Sequence, residues 1–249
     1  MSQTQTSNGS SSLNDLHVFT RAVGLLAVLT ALLYLRAMTS GGFLYRGTSE
    51  NIPVTTILFL LMLIFIIALV SLGPSEESLG SNVRLVYLHG AWVWTALIGF
   101  AAAAVFGLAY LVLKREQVGR HGIALGQAAT LFWVSYLPLS MWTMQANWGG
   151  LFLEEPRWRM ALDFAVVAVL IQISILIMKN VRVGNLLNGI FFLILVLRLS
   201  QTEQVMHPPS PILSSDSLII RAFFFILLFC CLLAGYLLSR WLDQKVSIQ

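Results

Sequence analysis

Long apolar runs constrain the fold of this chain more than any other feature. Seven of them lie at about residues 17–37, 53–73, 85–113, 123–146, 160–178, 184–200 and 217–240. A helix needs about 20 apolar residues to cross the hydrocarbon core of a bilayer, and unpaired backbone groups are not tolerated in lipid, so these runs must be helices. The chain is only 10% charged, whereas soluble domains carry about 25%. We therefore expect an all-α polytopic membrane bundle of about seven helices.

The segments outside the runs suggest a simple domain organisation. Residues 1–16 are rich in Ser, Thr, Asn and Gln, which is typical of a disordered tail. They lack the basic start and the small-residue cleavage site of a signal peptide, so a retained N-terminal helix and loop are expected over 17–52. The main membrane domain is predicted at 53–240 and a cytoplasmic tail at 241–249.

Positive charge alternates between the predicted loops and indicates the orientation. Basic residues follow the first, third and fifth runs and also lie near the C-terminus: Arg36, Arg46, Lys114, Arg115, Arg120, Lys179, Arg182, Arg240 and Lys245. Lys and Arg concentrate in cytoplasmic loops, so the N-terminus is predicted outside and the C-terminus inside. The net charge of +4 is explained by these loops and gives no reason to expect nucleic-acid binding.

The two cysteines exclude one kind of protein. Cys230 and Cys231 are adjacent within the last apolar run, and no CxxC or CxxCH sequence occurs. We interpret them as small apolar side chains of a helix. The chain is therefore not itself a c-type cytochrome, because it lacks the attachment sequence for heme.

Two histidines fall on the predicted outer side of the membrane. His89 lies in RLVYLHGAWVW at the start of the third run, and His207 lies in TEQVMHPPSPI after the sixth. Two imidazoles on opposite sides of one pocket are suitable axial ligands for six-coordinate heme iron. Taken singly, each also fits an ordinary interfacial or loop histidine. His17 and His121 have no aromatic or acidic partner segment, and we assign them no role.

A tryptophan-bearing acidic loop, NWGGLFLEEPRWR at 147–159, separates the two histidines. Trp148 and Trp158 bracket the loop, and Arg157 has the guanidinium geometry that pairs with carboxylates such as heme propionates. Simpler interpretations remain for several of its neighbours. Glu154 and Glu155 also fit a solvated surface pair. An interfacial aromatic belt accounts for Trp92, Trp94 and Trp142, and snorkelling accounts for Arg84, Arg198 and Arg221.

These segments together resemble the heme exporter protein C family of cytochrome c maturation. RLVYLHGAWVW is similar to that family's first histidine segment, and His207 stands where its second histidine is found. Trp148-Gly149 corresponds to the start of the tryptophan-rich loop, and Glu155-Pro156-Arg157 stands where the family has Asp-x-Arg. The resemblance covers roughly residues 53–240, so the first span would be an addition to the family's six. The chain departs from the family at 151–154, where LFLE replaces tryptophans, and after His207, where it reads PPSPIL.

The resemblance implies a heme-handling protein of a prokaryotic plasma membrane that passes transiently bound heme b to a periplasmic heme chaperone. It implies that His89 and His207 are the axial ligands and that Trp148, with its neighbour Gly149, and Trp158 meet the macrocycle. Arg157 and Arg84 would bind the propionates, Glu155 would orient the loop or the chaperone, and Trp92 would border the heme. The implied partners are ABC transporter subunits and a small membrane subunit of the same pathway.

Other functions remain open from the residues alone. No nucleophile–base pair or phosphate-binding loop is evident, so we do not expect an enzyme. The alternative is a non-catalytic structural subunit of a membrane respiratory or transport complex, in which both histidines could be replaced without loss of a pigment. A heme- or quinone-bearing electron carrier normally has histidine pairs within the bilayer, and no histidine lies in the middle of a run here.

Overall fold

The computed structural model describes residues 54–203, 205, 212 and 215–246. These residues form helices α1 (Val54–Ser71), α2 (Val83–Leu113), α3 (Glu116–Trp148), α4 (Pro156–Met178), α5 (Val181–Gln201) and α6 (Leu218–Val246). All six are long and apolar enough to cross a membrane. Within the described part of the chain no β-strand occurs. Six of the seven predicted spans are therefore confirmed as helices, and the predicted span at 17–37 lies outside the described residues.

The helices extend beyond several predicted boundaries. α3 begins at Glu116 rather than near residue 123, so most of the predicted loop KREQVGRHG is helical. Hydropathy alone missed this polar first turn, where the carboxylate of Glu116 interacts favourably with the helix dipole. α6 likewise continues to Val246, so residues 241–246 of the predicted tail are helical.

Short connections make neighbouring helices antiparallel. Lys114 and Lys179 end α2 and α4 in the left-handed conformation, with φ of 52° and 50°, and each backbone N–H closes the last turn of its helix. A cation at a helix C-terminus interacts favourably with the helix dipole. Because consecutive helices run in opposite directions, the basic connections after α2 and α4 both lie at one end of the bundle. The loop over 72–82 and the loop over 149–155 lie at the opposite end.

α3 is the central helix and contacts α2, α4, α5 and α6. Small residues allow this close approach, as is usual between helices in membranes. A Cβ added to Gly126 would lie 2.5 Å from Nδ2 of Asn188 on α5, and one added to Gly99 of α2 would lie 2.9 Å from Cβ of Ala129 on α3. Asn185 of α5 donates from Nδ2 to the carbonyl oxygen of Gly119 at 2.9 Å. Glycines on α3 therefore hold α5 in contact with it.

Candidate functional site

His89 faces α3 from the second turn of α2. Its ring centroid lies 5.3 Å from that of Tyr136, with the two planes tilted by 51°. The histidine side chain is half-buried and has further interactions of its own. It therefore lies in a helix–helix contact and is held in an aromatic environment.

Tyr136 joins His89 to the loop region that begins α4. Its ring centroid lies 5.4 Å from that of Trp133. Arg157, in the first turn of α4, lies within electrostatic range of Tyr136. Trp133 is 2% exposed and donates from Nε1 to the carbonyl oxygen of Ala161 on α4 at 3.0 Å. His89, Tyr136 and Trp133 form a continuous aromatic group, and Arg157 lies within electrostatic range of it. We call these four residues the outer cluster. Neither Trp133 nor Tyr136 is predictable as a site residue from the sequence, because aromatic residues within an apolar run carry no distinguishing signal.

The start of α4 buries one carboxylate and exposes another. Glu154 is exposed and forms an ion pair with Arg159, whereas Glu155 is only 3% exposed. The interpretation of both glutamates as a solvated surface pair is therefore wrong for Glu155. Glu155 immediately precedes Pro156, which occupies the first turn of α4. A negative side chain at this position interacts favourably with the helix dipole, and proline is tolerated because its missing N–H needs no partner there.

Two buried N–H groups near the outer cluster lack a hydrogen-bond acceptor within the described part of the chain. They are Nε of Arg157 and Nε1 of Trp158, and the Trp158 side chain is 3% exposed. An unsatisfied buried donor costs about 1–3 kcal/mol. The positive charge of Arg157 and these two donors suit an acceptor group with negative charge, such as a carboxylate. This chemistry fits a heme propionate, although Trp158 is too deeply buried to offer its face at the protein surface.

Trp148 and Gly149 form the end of α3. Trp148 is half-buried and has interactions of its own, and Gly149 is exposed in the left-handed conformation with φ of 69°. Glycine adopts this conformation without the steric cost that a Cβ imposes. Asn82, at the start of α2, donates from Nδ2 to the carbonyl oxygen of Ala146 at 2.9 Å. This bond ties the beginning of the His89 helix to the end of α3.

Arg84 and Trp92 have structural partners. Nε of Arg84 donates to the carbonyl oxygen of Gly73 at 2.8 Å and so secures the loop over 72–82. Nε1 of Trp92 donates to Oγ of Ser135 at 2.9 Å, and its ring centroid lies 4.5 Å from that of Phe132. The structure thus places both residues in α2 but engages them in contacts other than the outer cluster.

The predicted second ligand, His207, lies outside the described residues. The described residue Ile212 follows it in the same connection between α5 and α6. Cδ1 of Ile212 lies 3.9 Å from the position that a Cβ on Gly90 would occupy. Gly90 is the next residue after His89, so Ile212 itself lies beside the turn of α2 that carries the first histidine.

His121 was wrongly assigned to a loop without an acidic or aromatic partner. It lies in α3, and Nδ1 is 3.1 Å from Oδ2 of Asp243 on α6. Its Nε2 is 3.3 Å from a guanidinium nitrogen of Arg240, and its ring is stacked at 6.3 Å from that of Phe106 on α2. This second group joins three helices at the end of the bundle with the basic loops, away from the outer cluster.

No protein-family model matches the chain, and no curated protein matches it. The described residues therefore define a class only at the level of architecture. Over the residues that the structure describes, the chain is all-helical, and its six apolar helices indicate an integral membrane protein with a partly buried cluster of aromatic and charged side chains at one end.

Proposed function

We propose that this protein handles heme in cytochrome c biogenesis, holding it at the outer membrane face and passing it to a heme chaperone. The observation that carries the proposal is the outer cluster. His89, which the family resemblance nominates as an iron ligand, packs against Tyr136. Arg157, which the resemblance nominates as a propionate ligand, lies within electrostatic range of the same side chain. These two residues are 68 positions apart in sequence and come from different helices, so their proximity is a property of the tertiary structure.

Heme in this proposal is the transported substrate, and each site residue has a distinct task. His89 supplies one imidazole to the iron, and His207, from the connection between α5 and α6, supplies the other. Arg157, whose side chain is only partly buried, receives a propionate, and the buried Trp158 supports the same turn of α4 from inside. Trp148, at the end of α3, meets the macrocycle, Gly149 shapes the turn that follows it, and Glu155 supports the start of α4.

Arg84 and Trp92 have supporting tasks in the proposal. Arg84 holds the loop over 72–82 through Gly73, and Trp92 holds α2 against α3 through Ser135.

The proposal gives the protein a carrier role with no chemical step of its own. ABC transporter subunits, a small membrane subunit and the heme chaperone are its proposed partners, and a prokaryotic plasma membrane is its proposed location.

The visible absorption spectrum tests this function. The full chain would be purified in detergent after expression with a heme supply, together with His89→Ala and His207→Ala. We expect low-spin heme features in the parent and loss of the pigment, or a shift to high spin, in each variant. His121→Ala is the matched control, because this histidine belongs to the opposite end of the bundle and its loss is expected to leave the spectrum unchanged.

Arg157→Gln is expected to weaken binding of added hemin without altering the low-spin spectrum. A charge-assisted hydrogen bond contributes about 1.5–3 kcal/mol, so its loss corresponds to about a 10- to 100-fold higher Kd. A colourless parent that also fails to bind hemin would overturn the proposal. The structural-subunit alternative would then become the better interpretation.

A further inference from the structure

Three buried amide side chains lie at one level between α3, α4 and α5. They are Gln127, Gln172 and Asn188, and each is at most 1% exposed. Nε2 of Gln172 donates to Oδ1 of Asn188 at 2.9 Å. Within the described part of the chain, this is the only hydrogen bond that the three side chains make.

A contact one helical turn away establishes that the three amides share a level. Side chains of Ile123 on α3 and Ile175 on α4 lie 3.2 Å and 3.1 Å from the position that a Cβ on Gly184 of α5 would occupy. Gln127 is four residues after Ile123, Gln172 is three residues before Ile175, and Asn188 is four residues after Gly184. Because neighbouring helices are antiparallel and a turn has about 3.6 residues, all three steps lead toward the same end of the bundle.

Packing at Gly126 also brings the amides together. The amide group of Asn188 occupies the space where a Gly126 side chain would lie, at 2.5–2.9 Å from the added Cβ. Gln127 is the next residue of α3, and it shares the helix face of Ile123, one turn earlier, which meets α5 at Gly184. We call Gln127, Gln172 and Asn188 the amide layer.

Four polar atoms of the amide layer have no hydrogen-bond partner among the described residues. The acceptors are Oε1 of Gln127 and Oε1 of Gln172, and the donors are Nε2 of Gln127 and Nδ2 of Asn188. Rotating an amide by 180° exchanges its nitrogen and oxygen, but it leaves the numbers of donors and acceptors in the layer unchanged. Buried polar groups are almost always paired, either with protein or with bound water.

We propose that the amide layer is a water-binding site inside the membrane bundle. A water molecule donates and accepts, makes about three hydrogen bonds when buried, and so satisfies both kinds of unpaired atom. A monovalent cation would engage the amide oxygens alone and leave both N–H donors unpaired. The layer also contains no carboxylate to balance a positive charge. Water is therefore the occupant whose chemistry matches all four atoms.

Radiolytic footprinting tests the proposal on the full chain in detergent. Hydroxyl radicals generated from bound water oxidise the side chains beside it, even where bulk solvent has no access. We expect Ile123 and Ile175, each 4% exposed, to be oxidised several-fold faster than Leu227, which is 0% exposed and lies on α6 away from the layer. Oxidation of both isoleucines at the Leu227 rate would overturn the proposal.

A variant without the polar atoms of the amide layer provides the second part of the footprinting experiment. In Gln127→Met/Gln172→Met/Asn188→Leu, oxidation of both isoleucines is expected to fall to the Leu227 rate. If that variant does not fold, Gln127→Met alone removes two of the four unpaired atoms and is expected to lower the rate. Oxidation that persists at the parental rate in a folded variant would count against the site.

A salt comparison separates water from a cation. The thermal midpoint of the parent is expected to be equal in sodium chloride and choline chloride at the same ionic strength. A midpoint that rises with sodium and loses this dependence in the variant would overturn the water assignment in favour of a cation site. Neither readout depends on heme, so the proposed function and the amide layer can fail independently.

Discussion

At the scale of single residues, glycines affect the packing of the helices as much as larger side chains do. Gly126 leaves space for the Asn188 amide, and Gly149 takes the left-handed turn that separates α3 from the loop before α4. Such positions are sensitive to the addition of one carbon atom. Their sensitivity depends on what the new Cβ would meet, which differs between otherwise similar glycines.

Gly126→Ala is expected to destabilise the protein. The new Cβ would lie 2.5 Å from Nδ2 of Asn188, which the bond to Gln172 restrains. Overpacking of this kind typically costs about 1–3 kcal/mol. The measurement is the midpoint of thermal unfolding in detergent.

Gly189→Ala is the matched control, because nothing lies within 4 Å of the Cβ that it would add. It is expected to be neutral or stabilising by about 0.5–1 kcal/mol, since alanine loses less entropy than glycine in a helix. Equal midpoints for Gly126→Ala and Gly189→Ala would contradict close packing at Gly126.

At the scale of elements, α3 and α6 are joined by a polar contact at the end with the basic loops. Asp243 is 8% exposed and faces Nδ1 of His121, while Arg240 reaches the other ring nitrogen. This contact involves the part of α3 that hydropathy did not assign to a span. The helix extension and the contact are therefore related, because a frayed first turn would move His121 away from α6.

Asp243→Asn is expected to loosen this junction. The substitution preserves the shape of the side chain but removes the charge that faces His121, and hydrogen bonds to charged groups contribute about 1.5–3 kcal/mol. A lower thermal midpoint and faster hydrogen exchange in the first turns of α3 would be the result.

Glu154→Gln is the control, because it removes an exposed charge paired with Arg159. It is expected to change the free energy of unfolding by about 0–1 kcal/mol. A larger effect for Glu154→Gln than for Asp243→Asn would contradict the role of the buried contact.

At the scale of the whole molecule, the antiparallel helices separate two chemically different ends. One end carries the basic connections, including Lys114, Arg115, Lys179 and Arg182. The other carries the loops over 72–82 and 149–155, with Glu76, Glu77 and Glu154. The positive-inside rule then predicts that the outer cluster faces away from the cytoplasm.

Cysteine labelling in intact cells tests this orientation. Single cysteines would be introduced at the exposed positions Glu77 and Glu154, and separately at Arg115 and Arg182, after the buried Cys230 and Cys231 are replaced by alanine. An impermeant maleimide is expected to label the first pair in intact cells and the second only after permeabilisation. The reverse pattern would place His89 at the cytoplasmic face and remove the basis for delivery to a periplasmic chaperone.

The helices and their grouping into two ends were determined by the sequence alone, because lipid requires long apolar helices and Lys and Arg alternate between connections. The contacts between the helices were not determined by the sequence alone. In lipid, both faces of a helix are apolar, so hydrophobic periodicity does not show which face meets protein. Only the tertiary structure paired His89 with Tyr136, buried Glu155 while exposing Glu154, and brought Gln127, Gln172 and Asn188 to one level. Each of these depends on the rotation and register of packed helices, which neighbouring side chains decide together.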